Sequence, residues 1–459
     1  MYRSLLRSII VLLAVSLLSG CDFLYSTKEK NDRTIKIAYP VEAAFASYEA
    51  LLQEFYPDMK IEVVETKEAY EEENWVEALD KLYQREQPDL VYMSNGEEYD
   101  TYVENKWLTP LDDHDYPVSS LYPPVLDLLR LKDGSINGLA RYFDTKLLFY
   151  NKSLFESMGI AYPTEGMSWE DLLSLANKFA MVDTNPRTYG IEDYDWDENP
   201  YNPFRLTEMI AQSKGMQYID SEGTFKINDP AWVSLFGQVA DAFRSGAIYL
   251  PENKELLYDG GELGNGIKLI NNYLKDKKFL AGETAMAIHR STLFGFLHDI
   301  ESGSFEVKPF DWGVIPAPVD PSNPRQSSSI EVWDIFGIYK DSRDKELSWN
   351  ALEALTSKDA ASKASDLSAW DKRNGERLSV FPEYIRKDGV AVGASFANQE
   401  LNVTSASLFD RIPQSFFDAF RAAANKELSN VIAGEQTPEK AIANLQNAGE
   451  NLASGIQIK

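Results

Sequence analysis

Apolar positions follow two alternating patterns from Arg33 onward: short runs of period two or without interruption, and longer stretches of helical spacing. The first pattern predicts strands and the second predicts amphipathic helices. The first predicted elements are a strand at 35–38, a helix that ends before Pro57, a strand at 61–64, a helix at 74–85 and a strand at 89–93. Because strands alternate with helices in a βαβαβ order, we predict an α/β fold with mostly parallel sheets.

The same alternation returns further along the chain. A strand is predicted at 147–150, and residues 168–171 form a capping box that opens a helix. Near the C-terminus an apolar stripe runs from Phe416 to Val431, and Thr437-Pro438 supplies an N-cap and a first-turn proline for a last helix. We interpret these stripes as core, and we expect no cofactor.

The N-terminus has the layout of an export signal. Arg3 and Arg7 precede an apolar run from Ile9 to Leu18. This run is too short to cross a bilayer core, for which a helix needs about 20 apolar residues. No second long apolar segment follows, so the sequence predicts no membrane-spanning helix.

The end of this segment resembles a lipobox. Leu-Ser-Gly precedes Cys21, which is the only cysteine of the chain. Bacterial lipoproteins are acylated on such a cysteine and cut before it. We therefore predict a signal peptide at 1–20, a lipidated Cys21 and a polar tether at 21–32, anchored on the extracytoplasmic side of the cell membrane. An ordinary cleaved secretory signal with an incidental cysteine is the alternative.

Chain length and net charge limit the classes of protein to which this sequence can belong. The chain has 459 residues, and removal of the first 20 leaves 439. Because a single hydrophobic core rarely accommodates so many residues, we expect two lobes. The formal net charge is −27, and loss of Arg3 and Arg7 with the signal makes it −29. A field of this sign repels phosphate backbones, so we expect no nucleic-acid partner.

Metal-binding patterns are absent from the sequence. The three histidines show no ligand spacing, and the single cysteine is the predicted lipidation site. Asp193, Asp195 and Asp197 alternate as in a calcium loop, but Glu198 stands where such a loop has glycine. We therefore predict no metal site.

A central stretch carries a resemblance to a known family. The segment Leu-Phe-Tyr-Asn-Lys-Ser-Leu-Phe-Glu-Ser-Met-Gly-Ile at 148–160, followed by Pro163 and Ser168-Trp169, resembles the signature of the bacterial extracellular solute-binding protein family 1. These proteins are sugar-binding receptors of ABC importers, with maltose-binding protein as a distant relative. Four further stretches agree in the family's order: 87–91 with 106–112, 279–286, 312–318 and 348–355. The chain departs from the family in lacking a proline at 138–141 and in having three serines at 327–329.

The resemblance implies a two-lobe periplasmic-binding-protein-like fold of type II. Each lobe would be a mostly parallel sheet flanked by helices, and the lobes would close on a ligand like a hinge. The implied boundaries are 33–141 plus 331–370 for the N-lobe and 142–330 plus 371–459 for the C-lobe, with crossings near 142–146, 327–332 and 370–380. The implied partners are a carbohydrate ligand and the transmembrane subunits of an ABC permease, and the protein would act as a monomer.

Ligand residues are predicted from the chemistry of sugars. Hydroxyl groups bind planar polar side chains, the apolar faces of sugar rings bind aromatic rings, and ligands of open α/β sheets lie beyond the carboxyl ends of strands. The candidates are Glu42, Phe45, Asn95, Glu97, Glu98, Arg141, Tyr142, Asp144, Asp195, Trp196, His289, Arg290, Ser291, Glu331, Trp333, Asp334, Trp370 and Asp371. The alternative for Glu42, Glu97 and Glu98 is that they are solvated carboxylates on the surface. The alternative for the three tryptophans of this set is that they pack inside the protein rather than stack on a ligand. The other six tryptophans are predicted to be packed in the core or against helices.

The leading hypothesis is a lipid-anchored receptor that delivers an oligosaccharide to an ABC permease. One alternative keeps the fold and changes the client to a polyamine, a peptide or an iron chelate, or changes the partner to a sensor protein. Another is a secreted glycosidase with two catalytic carboxylates. No barrel-like repeat of strand and helix supports that enzyme, so we predict that the chain is not an enzyme.

Overall fold

The computed structural model describes residues 33–114, 116, 118–193, 202–220, 224–250, 277–324, 326–327, 330–363, 378–381, 386–387, 390–391, 400–401 and 414–454. The chain divides into two compact units. Of the described residues, the first unit comprises those up to Val91 together with Ile338–Leu355, and the second comprises those within Tyr92–Gly337 and from Thr356 onward. The lobe boundaries implied by the family resemblance stay a prediction.

The elements are numbered in chain order. Strands β1 to β14 are Thr34–Tyr39, Lys60–Glu65, Leu90–Asn95, Leu139–Asp144, Lys146–Asn151, Tyr189–Asp193, Thr284–Arg290, Trp312–Pro316, Gln326–Ser327, Glu331–Ile338, Leu378–Ser379, Arg386–Lys387, Val390–Ala391 and Glu400–Leu401. Helices α1 to α14 are Glu42–Phe55, Lys67–Tyr70, Trp75–Glu86, Gly96–Glu104, Pro123–Leu129, Lys152–Met158, Trp169–Ala180, Phe204–Ser213, Pro230–Ser245, Leu293–Glu301, Lys345–Thr356, Lys358–Lys363, Gln414–Ile432 and Pro438–Ala453.

The first unit is built on parallel strands. Strand β1 pairs in parallel with β2 and with the start of β3. Helix α1 buries Phe45, Tyr48, Leu51 and Leu52, which recur at helical spacing. The five elements predicted from the apolar pattern of this region are confirmed.

A buried carboxylate joins the segments of the first unit. Asp89, which is 3% exposed, precedes β3. Its Oδ2 accepts hydrogen bonds from the Lys36 backbone N–H at 2.9 Å and from Arg343 Nη2 at 3.2 Å. Its Oδ1 accepts from the Ser342 hydroxyl at 3.1 Å and from the Arg343 backbone N–H at 3.2 Å. The Pro-Asp motif at 88–89 therefore has a structural role here, because one side chain holds β1 and the turn before α11.

The second unit contains two larger groups of paired strands, besides the short pairs β12 with β13 and β9 with β14. In the first group β4 pairs antiparallel with β10 and β11. The second is a four-stranded sheet of order β6-β7-β5-β8. Only β6 and β7 are parallel in this sheet, since β5 runs antiparallel to both of its neighbours.

The mostly parallel arrangement predicted from the βαβ pattern is therefore wrong for the four-stranded sheet. Strand β5 is not reached through a helical crossover, which is the connection that makes neighbouring strands parallel. Only Thr145, which is 1% exposed, separates β5 from β4. The chain passes directly from one group of paired strands to the other at this residue, so the direction of β5 follows from that of β4.

Helices of the second unit bury the stripes predicted as core. Helix α7 starts with the predicted capping box, in which the Asp171 N–H donates to Ser168 Oγ and the Ser168 N–H donates back to the Asp171 carboxylate. Helix α14 is capped by Thr437, whose hydroxyl accepts the Lys440 N–H at 3.3 Å. The apolar residues of α7, α13 and α14 belong to one buried cluster. The core prediction for these helices is confirmed.

The six tryptophans predicted to pack are enclosed or stacked. Trp75 stacks on Tyr70 with ring centroids 5.3 Å apart. The other five are at most 9% exposed: Trp107, Trp169, Trp232, Trp312 and Trp349.

Candidate functional site

The crossing at Thr145 is surrounded by charged side chains of the second unit. Asp144, the last residue of β4, is 3% exposed. Its Oδ1 accepts two backbone N–H groups, that of Thr145 at 2.8 Å and that of Ser291 at 2.9 Å. Ser291 directly follows β7. One carboxylate of the first strand group therefore holds the end of a strand in the four-stranded sheet.

An ion pair lies on the more exposed side of this crossing. Arg290, the last residue of β7, donates from Nη1 to Oε2 of Glu331, the first residue of β10. The Arg290 and Glu331 side chains are 33% and 46% exposed. Strand register explains the meeting, because Glu331 stands opposite Asp144 and Arg290 stands opposite Lys146.

The two carboxylates of this cluster have altered proton affinity. Burial raises the pKa of Asp144, and the Ser291 backbone N–H and the Arg290 guanidinium oppose the shift. Desolvation also raises the pKa of Glu331, with Arg290 opposing it and the charge of Asp144 adding to it. Solvent at the exposed part of Glu331 screens these charges more than it does at buried Asp144.

Aromatic and cationic groups continue along the same strands. Tyr142 stands opposite the half-buried Trp333 in the pairing of β4 with β10. The Arg141 guanidinium carbon lies 5.2 Å from the centroid of the Tyr142 ring, although Arg141 itself is 5% exposed. The crossing therefore combines hydrogen-bonding groups with flat rings.

Asp334 has a left-handed backbone, with φ of 53°. Aspartate tolerates this region better than most residues. The side chain is 1% exposed, and its Oδ1 accepts a hydrogen bond from the Tyr92 hydroxyl at 2.9 Å. Tyr92, which the sequence did not single out, thus links the middle of β3 to β10.

The predicted residues after β3 cap a helix. Asn95 Oδ1 accepts the Glu98 N–H at 3.0 Å, and the Glu98 carboxylate accepts the Ser94 N–H at 2.8 Å and the Ser94 hydroxyl at 2.6 Å. Glu97 is exposed. A Cβ on Gly96 would stand 3.4 Å from the side chain of Val332, so the start of α4 lies beside β10.

Other predicted ligand residues are placed apart or enclosed. Glu42 is exposed at the start of α1 in the first unit, and its N–H donates to the Glu65 carboxylate at 2.8 Å. Phe45 has no exposed surface and packs against Tyr39 and Tyr48. His289 is 6% exposed, with Nδ1 3.1 Å from the Arg290 carbonyl oxygen. In this conformation Phe45 contributes to the core rather than to a surface that a ligand reaches.

Five predicted residues lie outside the described residues. They are the predicted lipidation site and four candidate ligand contacts, namely Cys21, Asp195, Trp196, Trp370 and Asp371.

The sequence did not predict a buried charge pair at the end of β6. Glu192 is 6% exposed, and its carboxylate accepts the N–H groups of Lys278 at 3.1 Å and Phe279 at 2.6 Å. Burial raises the pKa of Glu192 and lowers that of Lys277 to about 6, and each residue opposes the shift of the other. A glutamate directly after the Tyr-Gly-Ile start of a strand was the available signal. Glu192 stands opposite Ala287 in the middle of β7, and the Lys278 carbonyl oxygen accepts the N–H of Thr284, the first residue of β7, at 3.2 Å, so the pair lies beside the first half of β7.

A separate groove of about 520 Å³ contains none of the predicted ligand residues. Its polar groups serve the fold. Gln446 Oε1 accepts the N–H groups of Ile227 at 2.9 Å and Asn228 at 3.0 Å, and Lys226 pairs with Asp220 at 2.8 Å. We therefore place the candidate site at the strand crossing.

Within the described ranges, no group of three or more His, Cys, Asp or Glu side chains is arranged to hold a metal ion. Among the same residues, no helix has the length and apolar character needed to span a bilayer.

Comparison with solved structures shows the fold. A sugar transporter from Rhizobium etli in an open conformation is 15% identical, with a TM-score of 0.62 over 92% of this chain and 100% of that chain. A cyclo/maltodextrin-binding protein complexed with maltotetraose is 16% identical, with a TM-score of 0.58 over 93% of this chain and 98% of that chain. The predicted α/β periplasmic-binding-protein fold is confirmed.

Comparison with known sequences also finds binding proteins. A binding protein of Brucella abortus is 22% identical over 227 residues, which are 50% of this chain and 48% of that protein. The chain thus spans about half the length of the curated relatives it matches. The model of the family described as bacterial extracellular solute-binding proteins matches residues 39–362. This confirms that the chain is a binding protein rather than an enzyme: it belongs to the bacterial extracellular solute-binding protein family.

Proposed function

We propose that this protein is a lipid-anchored, extracytoplasmic substrate-binding protein of an ABC importer that captures an oligosaccharide. Family membership and the polar and aromatic groups at the strand crossing support this proposal. The lobes, with the predicted boundaries 33–141 plus 331–370 and 142–330 plus 371–459, close on the ligand and present it to the permease. The protein acts as a monomer.

The chemistry of the crossing suits a sugar. The planar carboxylate of Glu331 and the guanidinium of Arg290 offer acceptors and donors at positions that are 46% and 33% exposed. The half-buried Trp333 supplies a flat face of the kind that packs on the apolar side of a pyranose ring. Further binding residues of the proposal are Arg141, Tyr142, His289, Asn95, Glu97, Glu98 and Glu42, with Asp195, Trp196, Trp370 and Asp371.

The connection at Thr145 supports a hinge. A single residue joins β4 to β5, which belong to different groups of paired strands. Hinge motions are absorbed by large dihedral changes at a few residues in loops or at the ends of elements. A ligand that contacts both lobes only when they are closed shifts the population to the closed state.

Binding of a maltooligosaccharide is expected to stabilise the mature chain. At a ligand concentration 100-fold above Kd the gain is about 2.7 kcal/mol. With an unfolding entropy of about 2.1 cal/mol/K per residue over about 440 residues, this gain raises Tm by roughly 3 °C. The measurement is a thermal shift of the chain without residues 1–21 against a panel that includes maltotetraose.

Two variants make this measurement specific. Arg290→Ala is expected to lose most of the shift. Arg244→Ala, which breaks an ion pair with Asp241 on side chains 46% and 75% exposed, is expected to keep it. No shift of the unaltered chain with any oligosaccharide of the panel would contradict the proposal.

The lipid anchor rests on the lipobox-like sequence before Cys21. Expression of the full chain in a bacterial host with radiolabelled palmitate is expected to label the protein in the membrane fraction. Cys21→Ser is expected to abolish the label and release the protein from that fraction, since stable anchoring needs two or more acyl chains. A labelled Cys21→Ser variant, or an unlabelled parent, would refute the anchor.

Net charge favours a second candidate ligand of the same fold, a polyamine. The mature chain carries a formal charge of −29, which attracts polycations. Spermidine in the same thermal panel separates the two candidates. A shift with spermidine and none with oligosaccharides would favour the polyamine.

A further inference from the structure

The four charged or polar residues around Thr145 form a closed ring of contacts. Asp144 accepts the Ser291 N–H, Ser291 follows Arg290 in the chain, Arg290 pairs with Glu331, and Glu331 stands opposite Asp144 in the pairing of β4 with β10. The Asp144–Ser291 and Arg290–Glu331 contacts join the two groups of paired strands, and the pairing of Asp144 with Glu331 lies within the first group. Two of the ring's members, Arg290 and Glu331, therefore have neighbours in the ring that are fixed by backbone contacts.

Exposure divides the ring into two parts. Asp144 and Ser291 are 3% and 0% exposed, whereas the side chains of Arg290 and Glu331 are 33% and 46% exposed. Oδ1 of Asp144 already accepts two backbone N–H groups. A ligand at this surface meets the ion pair, while the buried carboxylate stands behind it.

The Ser291 N–H connects Asp144 to the end of β7. It belongs to the first residue after β7, so its hydrogen bond fixes the direction in which the backbone leaves the strand. Arg290 is the preceding residue, and the position of its guanidinium depends on that direction. Without the acceptor on Asp144, the end of β7 is free to turn away from Glu331.

We infer that Asp144 is a positioning residue, which sets the Arg290–Glu331 pair as the specificity-determining contact of the proposed sugar site without touching the ligand itself. This inference rests on the proposed function for the ligand class. The geometry of the ring stands independently of it. Lys146, opposite Arg290, and His289, whose Nδ1 lies 3.1 Å from the Arg290 carbonyl, are the other titratable groups at this strand end.

Amide hydrogen exchange tests the geometry without any ligand. In Asp144→Ala the Ser291 amide is expected to exchange at least about tenfold faster than in the parent, because its acceptor is gone. Asp144→Asn keeps an oxygen acceptor and is expected to restore protection. Asp229→Ala removes another carboxylate that accepts a backbone N–H, that of Ala231 at 2.7 Å, and is expected to leave Ser291 unchanged. Equal protection of Ser291 in the parent and in Asp144→Ala would overturn the inference.

A double-mutant cycle with maltotetraose tests the route to the ligand. Asp144→Ala and Arg290→Gln are each expected to weaken binding about tenfold, and the double variant is expected to bind no more weakly than Arg290→Gln alone. Additive losses would show that Asp144 contacts the sugar directly and would overturn the inference. If the parent binds no oligosaccharide, the proposed function fails, and the exchange result alone decides the role of Asp144.

Discussion

Gly190→Ala is expected to destabilise the second unit by at least about 3 kcal/mol. Gly190 lies in β6, and a Cβ there would stand 2.4 Å from the carbonyl oxygen of Ala176 and 2.5 Å from its Cα. Both atoms belong to the backbone of α7, so no side-chain rotation relieves the overlap. Either the strand or the helix moves, and the buried cluster around both loses its packing. Thermal unfolding followed by circular dichroism measures the change.

Gly237→Ala is the matched control. Gly237 lies inside helix α9, and the nearest atom to an added Cβ is Cγ of Pro438 at 3.6 Å, an ordinary contact. Alanine in a helix interior is favoured over glycine by about 0.5–1 kcal/mol, so this variant is expected to be as stable as the parent or more stable. A Gly190→Ala variant with the parent's Tm would show that β6 and α7 are not packed as described.

Asp89→Ala is expected to lower the free energy of unfolding of the first unit by about 3 kcal/mol. The substitution leaves two backbone N–H groups, of Lys36 and Arg343, and the Ser342 hydroxyl without their acceptor. It also removes the ion pair with the Arg343 guanidinium. Asp89→Asn keeps one acceptor oxygen and is expected to lose less of the free energy of unfolding. Urea unfolding monitored by tryptophan fluorescence gives the difference.

The control for Asp89 is Glu71→Gln. The Lys67–Glu71 pair is 3.7 Å apart with both side chains 64% exposed, so its loss is expected to change stability by less than about 0.5 kcal/mol. If Asp89→Ala unfolded at the same urea concentration as Glu71→Gln, the role assigned to the buried carboxylate would be contradicted.

The sequence contains enough information for the elements of this fold because the signals are local. Apolar spacing of 3.6 or 2 residues predicts which face is buried, and the capping box at Ser168 and the N-cap at Thr437 mark helix starts within four residues. The direction of β5 was not predictable in the same way. It depends on a connection through Thr145 rather than through a helix, and no local pattern encodes that difference.

The candidate site depends on pairing across long separations. Ser291 meets Asp144 across 147 residues, and Arg290 meets Glu331 across 41. The rule that ligands lie beyond strand ends selected these residues individually. It could not show that Asp144 is enclosed while Arg290 and Glu331 are exposed, because burial follows from strand register.

Local competition explains why other candidates have structural roles. Asn95 and Glu98 follow a strand, as a ligand residue would, but their side chains satisfy backbone N–H groups at the start of α4. Phe45 follows the first strand and lies on the buried face of α1. In both cases the residue type fits two uses: burial leaves Phe45 only the structural one, whereas Asn95 and Glu98 combine a capping role with a place in the proposed site.

Titration calorimetry of the chain without residues 1–21 tests the central claim most directly. Maltotetraose and longer maltooligosaccharides, injected in turn, are expected to give saturable heat with one site per chain, reduced about tenfold in affinity by Arg290→Gln. Absence of saturable heat from every oligosaccharide, with the protein folded by circular dichroism, would contradict the account of this protein as a sugar receptor.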